Sequence, residues 1–402
     1  MRHKDSAPSS TKLEAADLVR LVERVYRPGE QDRALAVIVD LPDDFRPDRE
    51  LWRLRREMAR QWALALSSMS PAPNFETRLF LYRNAHRNNG PLPERAWRHN
   101  DLSAPLPVEF GAPQEGSGVP FSEIFETHTM IMAPTELSAT APLKLAARRH
   151  GFRAATMPGF RAEMIPALNI DYGEVNRHVL KFKALLDQAT AASFRFVVTS
   201  GAGRSEYQLQ LDLRHRVAHA SGGILANPGD AGNLPSGEAY IVPYEGEIAG
   251  DESLSAGELP VEFSDGLVVY EIKANKVVRV TGESPAAERE ARHLEREPAY
   301  GNIAELGLGV LAGFGVAPVG ETLLDEKLGL HIAFGRSDHF GGQVGVADFS
   351  EPGEAIHIDR VYIPEIQPRI EVAEVSLRLA PEPGSGTRES LALPIIENDR
   401  YV

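Results

Sequence analysis

Between Gly301 and Tyr362 the chain passes through three apolar islands: GNIAELGLGV (Gly301 to Val310), LLDEKLGLHIAFG (Leu323 to Gly335) and EAIHIDRVY (Glu354 to Tyr362). Each contains side chains that are costly to bury alone: Glu305, then His331, then His357 with Asp359. The third island is the most constraining. Ala355-Ile356-His357-Ile358-Asp359 alternates as a β-strand does, so His357 and Asp359 point to one face while Ile356 and Ile358 point to the other. An imidazole beside a carboxylate on one strand face is half of a divalent metal site. An exposed strand face explains the same pattern more simply, so His-x-Asp is weak evidence by itself.

The other two islands strengthen it. Glu305 lies among Ile303, Ala304, Leu306 and Leu308, where an unpaired carboxylate is expensive to desolvate. His331 follows Leu330 and precedes Ile332, Ala333 and Phe334, and the spacing reads as the end of a short helix stopped at Gly335. A lone histidine there is ordinarily a satisfied core residue. With a carboxylate and a His-x-Asp pair close by in sequence, a shared cation is the simplest common partner.

In chain order, four segments read Pro235-Ser236-Gly237-Glu238, Ala304-Glu305-Leu306, Asp325-Glu326 through His331-Ile332-Ala333-Phe334-Gly335, and His357-Ile358-Asp359. This combination resembles the thermophilic aminopeptidase family, the aminopeptidase T and aminopeptidase S group of dinuclear metallopeptidases. That family carries Pro-[Ser/Thr]-x-Glu, Ala-Glu-Leu, Asp-Glu-x4-His-[Ile/Leu]-Ala-[Phe/Leu]-Gly and His-x-Asp in the same order. The resemblance covers roughly residues 190 to 402 well and the first half loosely. It implies metal ligands at Glu238, Glu305, His331, His357 and Asp359, with Glu305 as the bridge between two ions, and a homodimer. Glu238, in a Gly/Pro/Asn-rich loop from Gly222 to Gly237, reads locally as a solvated loop carboxylate, and only the resemblance makes it a ligand.

Five such ligands exceed what one catalytic zinc uses, three protein ligands and an open position. They suit two divalent ions, zinc, cobalt or manganese, that activate a water and polarise a scissile carbonyl. The expected activity is therefore that of a metallo-aminopeptidase-like hydrolase, releasing an N-terminal residue or cleaving a small amide. One departure stands out. Family peptidases carry a tyrosine seven residues past the histidine of the His-[Ile/Leu]-Ala segment, and here that position is Asp338, followed by His339. Either these two residues take over catalytic work, with His339 as donor or proton carrier, or the substrate is no ordinary peptide, or the two shape a Gly-rich turn. A second reading comes from distant relatives of the same fold, iron-dependent dioxygenases that cleave dihydroxypyridine rings. His331, His357 and Asp359 compose the residue types of a two-histidine, one-carboxylate Fe(II) triad. Those relatives lack the equivalents of Glu238 and His331, which this chain retains. A non-catalytic metal-binding scaffold is a third reading.

The remaining sequence sets the frame. A net charge of −14, from 57 Asp and Glu against 43 Lys and Arg, argues against a nucleic-acid surface. The chain has no cysteine, which excludes disulfides, thiolate ligands and thiol catalysis. No uninterrupted run of about 18 apolar residues is present and the start lacks a long apolar core, so a soluble, cytoplasmic protein without membrane contact is expected.

Residues 1 to 12 read as a disordered lead. From 13 to 190 strands alternate with helices: a helix over Leu13 to Val25, the apolar run ALAVIVDL at Ala34 to Leu41, an amphipathic helix over Asp48 to Ser67, strands at Thr77 to Tyr82, Thr129 to Ala133 and Phe152 to Thr156, and a helix over Tyr172 to Thr190. That order predicts a parallel α/β domain. It contains no P-loop and no Gly-x-Gly-x-x-Gly after its first strand. From 191 to 402 the texture changes to short strands and turns, with a hairpin at Ala274-Asn275 and a charged helix over Ser284 to Arg296. A mixed α+β, metal-binding catalytic domain is expected there.

Overall fold

The computed structural model describes residues 11–69, 75–111, 118–201, 203–380 and 391–402. The lead expected over residues 1–12 therefore falls outside the described residues except for Thr11 and Lys12. The chain forms two compact units. One comprises residues 1–177, 221–237 and 313–324, and the other residues 178–220, 238–312 and 325–402.

The first unit is built on a seven-stranded sheet ordered Ala231–Asn233, Arg153–Thr156, Met130–Ala133, Ala34–Leu41, Glu76–Arg83, Arg95–His99 and Val119–Pro120. The first five strands run parallel and the last two pair antiparallel. ALAVIVDL is buried along nearly its whole length because a central parallel strand is covered on both faces. In the helix Ala15–Tyr26, the spacing of Leu18, Leu21, Val22 and Val25 forms one apolar stripe, and all four are buried. Phe80, Tyr82, Phe121, Phe125 and Phe152 join Ile38 and Ile131 in the core. The strand Arg95–His99 and the helix Phe121–Thr127 add to the elements expected from sequence.

The second unit contains an eight-stranded antiparallel sheet and a five-stranded one. In the larger sheet Gly266–Lys273 and Lys276–Thr281 form the expected hairpin, with Ala274 and Asn275 both at positive φ, 46° and 65°. Such a turn matches the twist of the flanking strands. Helix Pro285–Arg296 starts where the Ser284 side chain accepts a hydrogen bond from the Ala287 amide.

The five-stranded sheet is ordered His357–Tyr362, Leu330–Gly335, Ile303–Gly309, Glu238–Ile241 and His219–Ser221. His331 is therefore a strand residue, and the short helix expected around it is corrected: Thr322–Asp325 is helical, while Leu330–Gly335 is extended. Gly335 has φ 96°, as a helix C-cap glycine would, but the tight space is of another kind. A Cβ there would lie 2.3 Å from the Ile356 carbonyl oxygen of the adjoining chain segment, so the glycine is needed for close approach of two backbones.

Alternation divides this sheet into an apolar face and a polar one. Ile332, Phe334, Leu306 and Leu308 are fully buried, and Phe334 packs against Tyr270 and Tyr300, with ring centroids 4.9 and 5.8 Å away. Tyr362 reaches the larger sheet through Pro260, whose carbonyl accepts its hydroxyl at 2.9 Å. Burying these side chains fixes the register, because a one-residue slip would exchange the two faces.

Candidate metal centre

Directly paired residues of antiparallel strands share a face. Across this sheet Tyr240 pairs with Gly307, Gly307 with His331, Glu305 with Ala333 and Ala333 with Asp359, while Glu238 pairs with Gly309 and Gly335 with His357. The polar face thus carries Glu238, Tyr240, Glu305, His331, His357 and Asp359. Between them stand Gly307 and Ala333, which leave room for long side chains to converge, and Gly309 and Gly335, where neighbouring backbone comes close. A bulge between Ile303 and Glu305 sets the phase of the middle strand.

The five side chains expected as ligands form two groups, Glu238/Glu305/His331 and Glu305/His357/Asp359. Within each, the donor atoms lie within 4.8 Å of one another, and Glu305 belongs to both. One of its oxygens is 3.2 Å from His331 Nε2 and the other 3.3 Å from His357 Nε2. His357 Nε2 is also 3.5 Å from Asp359 Oδ1. Each imidazole is held from behind: His357 Nδ1 is 2.7 Å from the Arg336 carbonyl oxygen and His331 Nδ1 is 3.3 Å from that of Gly329. Carbonyl contacts at Nδ1 that leave Nε2 facing carboxylates are the usual support of a metal-ligating histidine. Glu238 Oε2 is buried without a hydrogen-bond partner, although His331 Nε2 is 3.4 Å away. Such an orphaned oxygen is expensive. The donor set fits a divalent cation with oxygen and nitrogen ligands.

The electrostatics follow from burial and pairing. Burial opposes ionisation of Glu305, but hydrogen bonds from both histidines outweigh it and draw its pKa down to about 2. For His331, burial disfavours the cation, yet Glu305, Glu238 and Asp359 raise its pKa to about 9. His357 moves upward for the same reason, Asp359 and Glu305 outweighing its desolvation. Asp359 is pulled below the ordinary carboxylate range, burial being overcome by His357, His331 and a hydrogen bond with Glu326.

Glu326 and Lys327 belong to this centre and sequence reasoning assigned them no role. Burial, reinforced by Asp359 and Glu238, lifts the Glu326 pKa well above the usual value, against the pull of Lys327. Lys327 Nζ is 2.6 Å from Glu238 Oε1 and also contacts Glu326. The Asp-Glu pair was visible within the third motif, but nothing local marks Lys327 as buried. Tyr240 was missed as well. Its position two residues beyond Glu238 on one strand is the signal that finds it.

Asp338 and His339 occupy a short turn, Asp338–Phe340. Asp338 is engaged by Arg336 through two hydrogen bonds. The His339 ring lies 5.3 Å from that of His357 and 3.9 Å from that of Phe340. Desolvation, together with the charges of His357 and Arg336, lowers its pKa to about 4, so this imidazole is neutral at pH 7. Phe340 continues to Tyr240 at 4.9 Å and Tyr240 to His219 at 5.2 Å, giving an aromatic wall. Glu245 anchors the turn, accepting from Ser337 Oγ at 2.6 Å and from Asn302 Nδ2 at 2.7 Å. The first unit contains a cavity of about 540 Å3 beside Trp62 and Phe160, but no imidazole lines it.

Comparison with known proteins reaches the fold. A scan against protein-family models finds no match, and a search of curated proteins finds none either. Among solved structures, the chain is similar to 2,5-dihydroxypyridine dioxygenase from Pseudomonas putida KT2440, with a TM-score of 0.57 and 15% identity over 97% of this chain and 98% of the other. It is also similar to AmpT from Thermus thermophilus, with a TM-score of 0.51 and 15% identity over 96% of this chain and 99% of the other. The chain thus shares its α/β architecture with two enzymes over nearly its full length.

Proposed function

We propose that this protein is a metal-dependent hydrolase of small amides or peptides with a free amino terminus. The observation that carries the proposal is the sharing of Glu305 by two groups of ligands, one buried and one partly buried, each with an imidazole steered from behind. Glu305, His357 and Asp359 would hold a divalent cation, and Glu238 and His331 complete the cluster. Zinc, cobalt or manganese suits these ligands. When bound, the cation supplies Lewis acidity and a water of lowered pKa.

The chain's own groups divide the remaining work. Glu326, whose pKa burial lifts well above the usual carboxylate value, hydrogen-bonds Asp359, which suits a group that carries a proton to a departing amine. Tyr240 presents a hydroxyl on the same face as the carboxylates, and its ring is fixed by His219 and Phe340. It is the candidate donor to a substrate oxygen on which charge develops. His339 is neutral and lies beside His357, while Asp338 holds the turn through Arg336.

The test is a panel of aminoacyl amides and dipeptides, assayed with zinc, cobalt and manganese. Turnover that a chelator abolishes and metal restores supports the hydrolase. The likeness to a dioxygenase motivates the second reading, with Fe(II) on His331, His357 and Asp359. Against it, the two imidazoles fall in separate ligand groups. If every amide is inert while an Fe(II)-loaded sample consumes oxygen with a hydroxylated pyridine or catechol, the second reading replaces the first.

A further inference from the structure

Lys327 places an ammonium inside the carboxylate cluster. Its side chain is 3% exposed, and Nζ lies 2.6 Å from Glu238 Oε1 while also contacting Glu326. The backbone makes this placement possible. Gly309 pairs with Glu238, and a Cβ on Gly309 would lie 2.3 Å from the Lys327 carbonyl carbon. The chain at Lys327 therefore lies directly on the strand at Gly309, the residue paired with Glu238 across the sheet. Hydrogen bonds hold it there, from Leu311 N to the Lys327 carbonyl at 2.8 Å and from Gly309 N to the Gly329 carbonyl at 2.9 Å.

The two ligand groups are consequently unequal. In Glu238/Glu305/His331, one Glu238 oxygen is already paired with a fixed cation. A divalent ion there would lie close to the ammonium, in a buried setting where like charges are poorly screened. In Glu305/His357/Asp359 both partners of His357 Nε2 are carboxylates, and among the described residues no Lys or Arg pairs with Asp359 or Glu305.

We propose that Lys327 takes the place of one of the two cations expected from the ligand set, so that the centre binds one divalent ion tightly, on Glu305, His357 and Asp359, while the ammonium neutralises Glu238. The proposal rests on the cluster being a metal centre, and not on the centre hydrolysing amides.

The experiment is metal stoichiometry, with no substrate present. Protein stripped by a chelator is titrated with zinc, and bound metal is measured by calorimetry and elemental analysis. The parent is expected to bind one ion tightly, with any second ion weaker by roughly 100-fold or more. Glu238→Gln keeps the tight ion, Asp359→Asn loses it, and Lys327→Met gains a second of comparable affinity. Two ions of similar affinity in the parent overturn the proposal. So does loss of the tight ion in Glu238→Gln with retention in Asp359→Asn, a pair that decides the matter even if Lys327→Met does not fold. Should the amide panel be inert while one ion is bound as described, the hydrolase reading fails and the role of Lys327 stands. Amide turnover with two tight ions gives the reverse, and a parent that binds no ion overturns both.

Discussion

The imidazole of His331 lies over the α-carbon of Gly307, its partner across the sheet: a Cβ on Gly307 would sit 1.9 Å from His331 Nε2. The ring fills the volume that a side chain on the middle strand would occupy. This explains why a carboxylate on one strand and an imidazole on the next meet at 3.2 Å.

Gly307→Ala is accordingly expected to displace His331 and disturb Glu305. Overpacking of this kind costs about 1–3 kcal/mol. A Cβ on Gly313 would meet open space, so Gly313→Ala is the control. Denaturant unfolding of both variants makes the comparison. Equal stability for the two would show that His331 is not seated on Gly307.

Glu305→Ala removes the one carboxylate common to both ligand groups. It is expected to abolish activity and to bring bound metal below one ion per chain, whichever group is occupied. It also leaves His331 and His357 without their shared acceptor, so Glu305→Gln is the better-folded companion. Elemental analysis of metal decides: a variant that binds metal as tightly as the parent removes Glu305 from the centre.

Much of this sheet was legible. The i, i+2 spacing of His357 and Asp359 placed them on one face, and Glu305 stood out as a carboxylate in an apolar run. His331 reads as helical from sequence because Leu323-Leu324-Asp325-Glu326-Lys327 has good local helix formers and Gly335 resembles a helix stop, whereas Leu330–Gly335 is extended. Tertiary pairing with Gly307 overrode that preference. Lys327 was not legible, since its burial depends on Gly309 being bare on a neighbouring strand. Ile358, on the opposite face from the ligands, is only half-buried. Ile358→Ala should therefore cost less than about 2 kcal/mol, below the range for a fully buried isoleucine, and leave metal binding intact. Metal loss with an unchanged melting temperature would contradict that placement.

The histidines give metal binding a definite pH dependence. In the metal-free protein His331 has a pKa raised from 6.5 to about 9, and His357 is also raised. A histidine with a raised folded-state pKa contributes stability that is complete below 6.5 and is lost as pH climbs through the folded value. The metal-free protein should therefore lose melting temperature between pH 6.5 and about 9. Binding requires a deprotonated Nε2, so the increase in melting temperature produced by zinc should grow across the same interval. Thermal scans with zinc and with chelator measure both trends. A zinc effect that shrinks as pH rises would exclude the histidines as ligands.

Tyr240 offers a test of the proposed chemistry separate from metal binding. Its ring is held between His219 and Phe340, and its hydroxyl makes no hydrogen bond among the described residues. Burial, with the nearby charges of Glu305 and Glu238, pushes its pKa above the ordinary phenol value, so it keeps its proton at pH 7. A protonated phenol next to a metal centre can donate to an oxygen that becomes negative during reaction. Tyr240→Phe preserves the ring contacts and deletes only the donor. Loss of one such donor typically lowers kcat by about 100- to 1,000-fold, and KM and metal content should change little. A variant with the parent's kcat would remove the hydroxyl from the mechanism. A large rise in KM at unchanged kcat would instead make Tyr240 a residue that binds substrate without stabilising its transition state.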